Sequence, residues 1–334
     1  MSPKLYFKTI LHISATIIGG VVLGSLSFSA VNYFGDGIPT VESYTDVRDD
    51  DHIKLLFVGD IMMDRGIRAK VKKNHGDYLF PFVHMIDRLS SADITFGNLE
   101  GPVSDVGSRS GSIYSFRMDP MVTQALYDVG FDIVSLANNH MGDYGREAME
   151  DTMRRLHNAG IQYTGAGLDK KEAYDVTVIE RGNTKIGFLG FSDIGPRWMQ
   201  AGDKSSGIAI AGIEIINKSV RQARDKTDIL IVSFHFGEEY KTRSQIEQQI
   251  LARKAIDAGA DIVIGHHPHV AQEIEQYKNG VIAYSLGNFI FDQAFSKDTK
   301  EALMFEVDIK NKKIYDFKAI PIKFNTDFQP IIVQ

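Results

Sequence analysis

From Ile53 onward, short runs of β-branched and aromatic residues alternate with stretches whose apolar positions recur at helical spacing. The runs Ile53–Gly59, Ile94–Gly97, Ile133–Leu136, Lys185–Phe191, Ile229–Phe234, Ile262–Gly265 and Val281–Ser285 predict strands. Between them, Tyr78–Leu89, Met121–Val129, Arg146–Ala159, Ile213–Arg224 and Ile246–Ala258 predict helices. This order predicts an α/β domain with buried strands. Near the end, Ala302–Asp308 and Ile314–Ile322 alternate around Asn311-Lys312-Lys313, which predicts a hairpin at a sheet edge.

Two stretches share one pattern. Tyr127-Asp128-Val129-Gly130-Phe131-Asp132-Ile133-Val134 runs into Asn138-Asn139-His140, and Ile256-Asp257-Ala258-Gly259-Ala260-Asp261-Ile262-Val263 runs into His266-His267-Pro268-His269. In each, Gly ends a helix, Asp opens a strand, and the strand delivers polar residues.

The first fifty residues are patterned differently. Lys4 and Lys8 precede a run from Thr9 to Gly35 that holds no Asp, Glu, Lys or Arg. That is longer than the roughly 20 residues needed to cross a bilayer. Residues 1–35 are therefore expected to form an N-terminal transmembrane anchor, or a signal segment cleaved near Ser25–Ser29. Residues 36–51 carry six acids with Gly, Pro, Thr and Ser and no apolar period, which predicts a solvated acidic linker. Lysines before the run and acids after it predict a single pass with the domain at 52–334 outside the cytoplasm, at the cell membrane.

Composition narrows the chemistry. A net charge of −6 argues against nucleic acid as a partner. The absence of cysteine excludes thiolate zinc sites and cysteine nucleophiles, so any metal must be held by nitrogen and oxygen. Polar clusters end five predicted strands: Asp60, Asn98-Leu99-Glu100, Asn138-Asn139-His140, His235-Phe236-Gly237-Glu238-Glu239 and His266-His267-Pro268-His269. Ligands bind α/β sheets outside the carboxyl ends of their strands. Five of the ten histidines fall in these clusters, and imidazole with carboxylate suits manganese, iron or zinc, as one or two ions.

These stretches resemble a known family. Gly59-Asp60 with Arg65, Gly97 to Pro102, Ala137 to His140 with Asp143, His235 to Tyr240, Gly265 to Val270 and Tyr284 to Phe289 are similar, in order, to the bacterial capsule and poly-γ-glutamate synthesis proteins called CapA. That family is a branch of the metallophosphoesterase-like (calcineurin-like) superfamily. The resemblance implies a four-layer α/β/β/α sandwich around a metal centre. It implies Asp60, Glu100, Asn139, His235, His267 and His269 as metal ligands, and His140 with Asp60 in the catalytic role. Arg65, Arg117, Glu238 and Asn288 are candidates to hold an anionic substrate, while His266 and Glu239 are expected to orient the ligands.

Two positions depart from the superfamily pattern. Met62 stands where an imidazole is expected two residues after Asp60, and Glu100 stands where a bridging aspartate is expected. A thioether suits these ions badly, so the metal set is expected to be specialised or weakened. Three functions stay open: capsule biosynthesis acting on an anionic polymer beside other capsule-synthesis membrane proteins, hydrolysis of an exported phosphate ester, or a non-catalytic binding subunit.

Overall fold

The computed structural model describes residues 52–333. The predicted anchor at 1–35 and the linker at 36–51 lie outside the described residues. Among the described residues, no helix is long and apolar enough to cross a membrane.

The strands, in chain order, are β1 (His52–Ile61), β2 (Ile94–Leu99), β3 (Ile133–Ser135), β4 (Gln162–Thr164), β5 (Ala166–Gly167), β6 (Thr177–Arg181), β7 (Thr184–Ser192) and β8 (Gly207–Ile208). They continue as β9 (Ile229–His235), β10 (Ile262–His266), β11 (Ile274–Tyr277), β12 (Gly280–Ala283), β13 (Asn288–Ile290), β14 (Glu301–Lys310), β15 (Lys313–Phe324) and β16 (Pro330–Ile332). The helices are α1 (Arg65–Lys73), α2 (Ile86–Ser90), α3 (Met121–Asp128), α4 (Gly145–Ala159), α5 (Lys170–Tyr174), α6 (Ile213–Arg224) and α7 (Ile246–Ala258).

One sheet runs β16-β15-β14-β1-β2-β3-β4, with β13 also paired to β1, and a second runs β11-β12-β10-β9-β7-β6. In the first, β1 to β4 are parallel, and in the second, β12, β10, β9 and β7 are parallel. Phe57, Phe96 and Ile133 of the first sheet pack against Phe188, Ile231 and Ile264 of the second in one apolar layer. On its other face the first sheet meets Ile67 and Val71 of α1, Val122 and Leu126 of α3, and Met149, Met153 and Leu156 of α4. The second sheet is covered by Ile216 and Val220 of α6 and Ala252, Ala255 and Ile256 of α7. The order of layers is thus α/β/β/α, and strands buried on both faces explain why their sequences read as unbroken apolar runs.

The two similar stretches form α3-β3 and α7-β10, one in each sheet. Gly130 (φ 98°) and Gly259 (φ 122°) turn the chain out of their helices in a backbone region that favours glycine. Asp132 accepts from the Thr95 amide and pairs with Arg181, and Asp261 accepts from the Leu230 amide and pairs with Arg224. Each aspartate therefore fastens the neighbouring strand at its start, so that the strands end level with one another.

The predicted hairpin is β14-β15, closed by Asn311 and Lys312 with φ of 52° and 59°, as a type I′ turn requires. The predicted helix at 78–89 is different: a 3-10 turn at Phe80–Phe82 is followed by the short α2. Pro81 lacks the N–H that a continuous helix would need there.

Candidate metal centre

β1, β2 and β3 carry Asp60, Glu100 and the Asn138-Asn139-His140 segment to the carboxyl edge of the first sheet, while β9 and β10 carry His235 and His266 to the same edge of the second. The register aligns Asp60 with Asn98 and with Asn288, and His235 with His266. Placing Asp60 here requires backbone contact. The Asp60 amide donates to the Gly287 carbonyl at 3.0 Å, and a Cβ on Gly59 would lie 1.9 Å from that same oxygen.

The fully buried Asp60 carboxylate is surrounded by donors. Oδ1 accepts from Asn98 Nδ2 at 2.8 Å and lies 3.3 Å from His266 Nδ1. Oδ2 lies 3.3 Å from His269 Nδ1 and accepts from the His267 amide at 3.3 Å. Burial alone would raise its pKa, but His266 and His269 hold the carboxyl well below its usual range. Glu100 behaves oppositely. Burial and the Asp60 charge push its pKa well above the usual range, and its buried Oε1, 3.6 Å from His269 Nε2, has no hydrogen-bond partner.

Three further donor atoms meet on the other side. His235 Nε2 lies 2.7 Å from Asn139 Oδ1 and 3.1 Å from His267 Nδ1. Asn98 Nδ2 approaches His235 Nδ1 at 3.3 Å, which leaves Nε2 as the ring nitrogen turned towards Asn139 and His267. Burial and the neighbouring His267 pull the His235 pKa well down, and burial and His269 pull His267 down to about 4, so both are neutral imidazoles. His267 (φ 97°) and His269 (φ 58°) occupy the left-handed region, with Arg65 and Tyr240 doing so nearby, which stores strain beside the site.

His140 is held by Asp143. Its Nδ1 lies 2.8 Å from Asp143 Oδ2, which also accepts from the Phe116 amide, and Phe116 packs at 4.1 Å between ring centroids. Nδ1–H therefore donates to the carboxylate and Nε2 is left facing the cluster, 3.8 Å from Glu100 Oε1.

The structure thus brings together Asp60, Glu100, Asn139, His140, His235, His267 and His269, with His266 buried behind Asp60. Glu239 stands at the outer rim, where its carboxylate and the rings of His267 and His269 have ligand atoms within 4.8 Å of one another. Asp60, Glu100 and His235 form a second such set. Asn288, expected at the substrate, is buried beneath His269: its Oδ1 accepts from His269 Nδ1 at 3.0 Å, and its Nδ2 donates to the His269 and Thr299 carbonyls. Glu238 turns away to accept from Gln245 Nε2 at 2.7 Å. Arg117 lies over the Tyr144 ring and reaches the Val106 and Gly107 carbonyls. Arg65 pairs with Asp292 and covers Phe116 and Phe291, the rings that pack on His140 and His269.

Asn98 was legible only as part of a polar strand end, yet it connects the site. Its amide donates towards Asp60, Glu100 and His235, and its oxygen accepts from Asn138 Nδ2 at 3.1 Å. An amide side chain near the end of a fully buried strand was the available signal.

These donors fit a divalent transition metal. They are all nitrogen and oxygen, they stand at the ends of buried strands, and an orphaned carboxylate oxygen faces them. Met62 does not join them: it is fully buried with Phe116 and Phe291, and its sulfur lies 3.2 Å from the Asp64 amide.

A pH dependence follows for the metal-free protein. Burial lowers the His269 pKa, but Glu100 and Asp60 outweigh it and raise it from 6.5 to about 9. A raised folded pKa stabilises fully below the unfolded value and loses that contribution as pH rises through about 9. In chelator, the thermal midpoint is expected to fall between pH 7 and pH 9.5, whereas bound metal, which takes the neutral ring, removes that fall. A midpoint that stays level in chelator would contradict the pairing.

Fold and site define the class: an α/β protein of two packed sheets that gathers a His/Asp/Glu/Asn ligand cluster at its strand ends. Residues 54–293 match the family described as "Bacterial capsule synthesis protein PGA_cap", and the chain belongs to that family. It is 32% identical to the capsule biosynthesis protein CapA of Bacillus anthracis over 284 residues, covering 82% of this chain and 68% of that one. It is 33% identical to the PGA biosynthesis protein CapA of Bacillus subtilis (strain 168), covering 85% and 74%. Among solved structures, a 5'-nucleotidase precursor from Thermus thermophilus superposes with a TM-score of 0.49 at 11% identity, covering 84% of this chain and 56% of that one. This chain thus spans little more than half of that nucleotidase.

Proposed function

We propose that this chain is a membrane-anchored, extracytoplasmic capsule-biosynthesis protein that handles an anionic polymer of the poly-γ-glutamate type at its metal centre. The observation that carries this reading is the convergence of Asp60, Glu100, Asn139, His235, His267 and His269 at one strand edge of a capsule-synthesis family member. Those six residues would hold one or two divalent ions. Such ions supply Lewis acidity, polarising a carbonyl or phosphoryl oxygen and easing the ionisation of water.

The chain's own residues supply the rest. Asp143 fixes the His140 tautomer, so that Nε2 is the atom that exchanges a proton with a leaving group. Arg65, half-exposed above Phe116 and Phe291, is a cation placed beside the rings that pack on His140 and His269, where it can meet a polymer carboxylate. Binding there exchanges Asp292 for the incoming anion, which keeps the guanidinium paired.

Met62 favours this function over general phosphoesterase activity. A buried thioether packed on two phenylalanines supplies no imidazole at this position, which changes the donor set around Asp60 from that of a general phosphoesterase, so little turnover of simple phosphate esters is expected. The acidic linker supports the outward orientation, and protease added to spheroplasts should cut within residues 36–51. The direct test replaces the chain in its own cells by His140→Ala. Surface polymer should be lost while the protein is still made, and undiminished polymer would remove His140 from the function.

A further inference from the structure

We infer that Glu239 is itself a metal ligand, which with His267 and His269 forms an outer donor set beside the inner set of Asp60, Glu100 and His235. The inference rests on the metal-centre reading above and adds to it a carboxylate assigned by sequence to a merely orienting role.

Neither of the two neighbouring acids was a ligand on the family resemblance, and the loop separates them. Gly237 (φ 91°) turns the chain just after β9, and a Cβ there would lie 2.5 Å from the Gln248 side chain, so the loop is pinned against α7. Glu238 is consequently spent on Gln245 at the start of α7. The Tyr240 amide donates to the Pro268 carbonyl at 2.8 Å, tying the loop to the segment between the two histidines. Glu239 lies between these two anchors, and its carboxylate is carried to His267 and His269, with ligand atoms of all three within 4.8 Å. Tyr240 closes the arrangement: its ring lies 6.2 Å from His269, and burial and its hydrogen bond to Glu239 raise the phenol pKa. A ligand carboxylate held by an outer hydrogen bond is the usual construction of a metal site.

A second feature, independent of the loop, points to an ion. Glu100 is fully buried, and its unpartnered Oε1 faces His269 Nε2 at 3.6 Å, so the inner and outer sets share His269 as a common wall. Adding a third carboxylate also hardens the donor set, which shifts preference towards manganese.

The test is a manganese titration of the full-length chain, followed by the electron paramagnetic resonance of free Mn(II), with Glu239→Gln and Glu238→Gln in parallel. The native chain and Glu238→Gln should bind two ions, and Glu239→Gln should bind one at native affinity and the other at least about tenfold more weakly, the scale of a lost site partner. Because Glu239 is exposed, the metal-free thermal transition of Glu239→Gln should match the native one, which separates ligation from folding. Two ions at native affinity in Glu239→Gln, or a single ion in the native chain, would overturn the inference while leaving the metal centre intact. A native chain that binds none would overturn the centre itself.

Discussion

Asp60→Ala is expected to abolish metal retention and to cost the metal-free protein about 3 kcal/mol, the lower end of what is lost when one partner of a buried ion pair is removed. The position warrants both effects. Asp60 is fully buried, holds the His269 ring at 3.3 Å and organises Asn98 and the His267 amide. Removing the carboxylate strips the His269 imidazolium of its Asp60 partner but leaves Glu100 Oε1 at 3.6 Å as an acceptor, and that remaining contact is why the low end applies. Elemental analysis of the full-length chain, with denaturant unfolding in chelator, reads the two effects separately. Unchanged metal content would show that Asp60 is structural only.

The second large effect separates two histidines that look equivalent in sequence. His267→Ala and His269→Ala are both expected to weaken metal binding by on the order of 100-fold, at least the upper end of what outer-layer partners contribute. Their stabilities should differ. His267 is neutral at pH 7 because burial pulls its pKa down to about 4, so its loss removes no charge pairing. His269, raised to about 9, is a cation paired with the buried Asp60 carboxylate, and its removal leaves that charge without its partner. In chelator at pH 7, His269→Ala should therefore unfold at the lower temperature. Equal midpoints for the two variants would contradict the charge assignment.

The layers of the fold were legible because its strands are covered on both faces and stand out as apolar runs, as at Ile229–His235. The paired α3-β3 and α7-β10 units were legible through Gly130 and Gly259, whose positive φ is a backbone need visible in sequence. Helix α1 was not, since only Ile67 and Val71, one turn apart, are buried in a segment otherwise polar. The helix expected at 78–89 misread periodic apolar residues around Pro81 as continuous.

In the site, residue types marked the strand ends, but side-chain direction depends on loops that periodicity does not describe. Glu238 and Glu239 are adjacent and chemically alike, and only the turn at Gly237 and the Tyr240 amide bond decide which one meets the histidines. Arg117 and Arg65 were equally plausible anion binders, yet Arg117 is committed to Tyr144 and two carbonyls while Arg65 stands over the rings beside His140 and His269. Asn288 lies within the Tyr284 to Phe289 motif and was a candidate for the substrate, but its side chain is buried and accepts from His269 Nδ1, which makes it a support for that ring.

The most direct test of the metal centre is elemental analysis of the full-length chain after exposure to manganese, iron and zinc in turn and removal of loosely held ions by dialysis. The account predicts at least about one ion retained per chain, within the range set by mononuclear and two-metal sites, and its loss in Asp60→Ala. A native chain that stays free of all three metals while folded would contradict it.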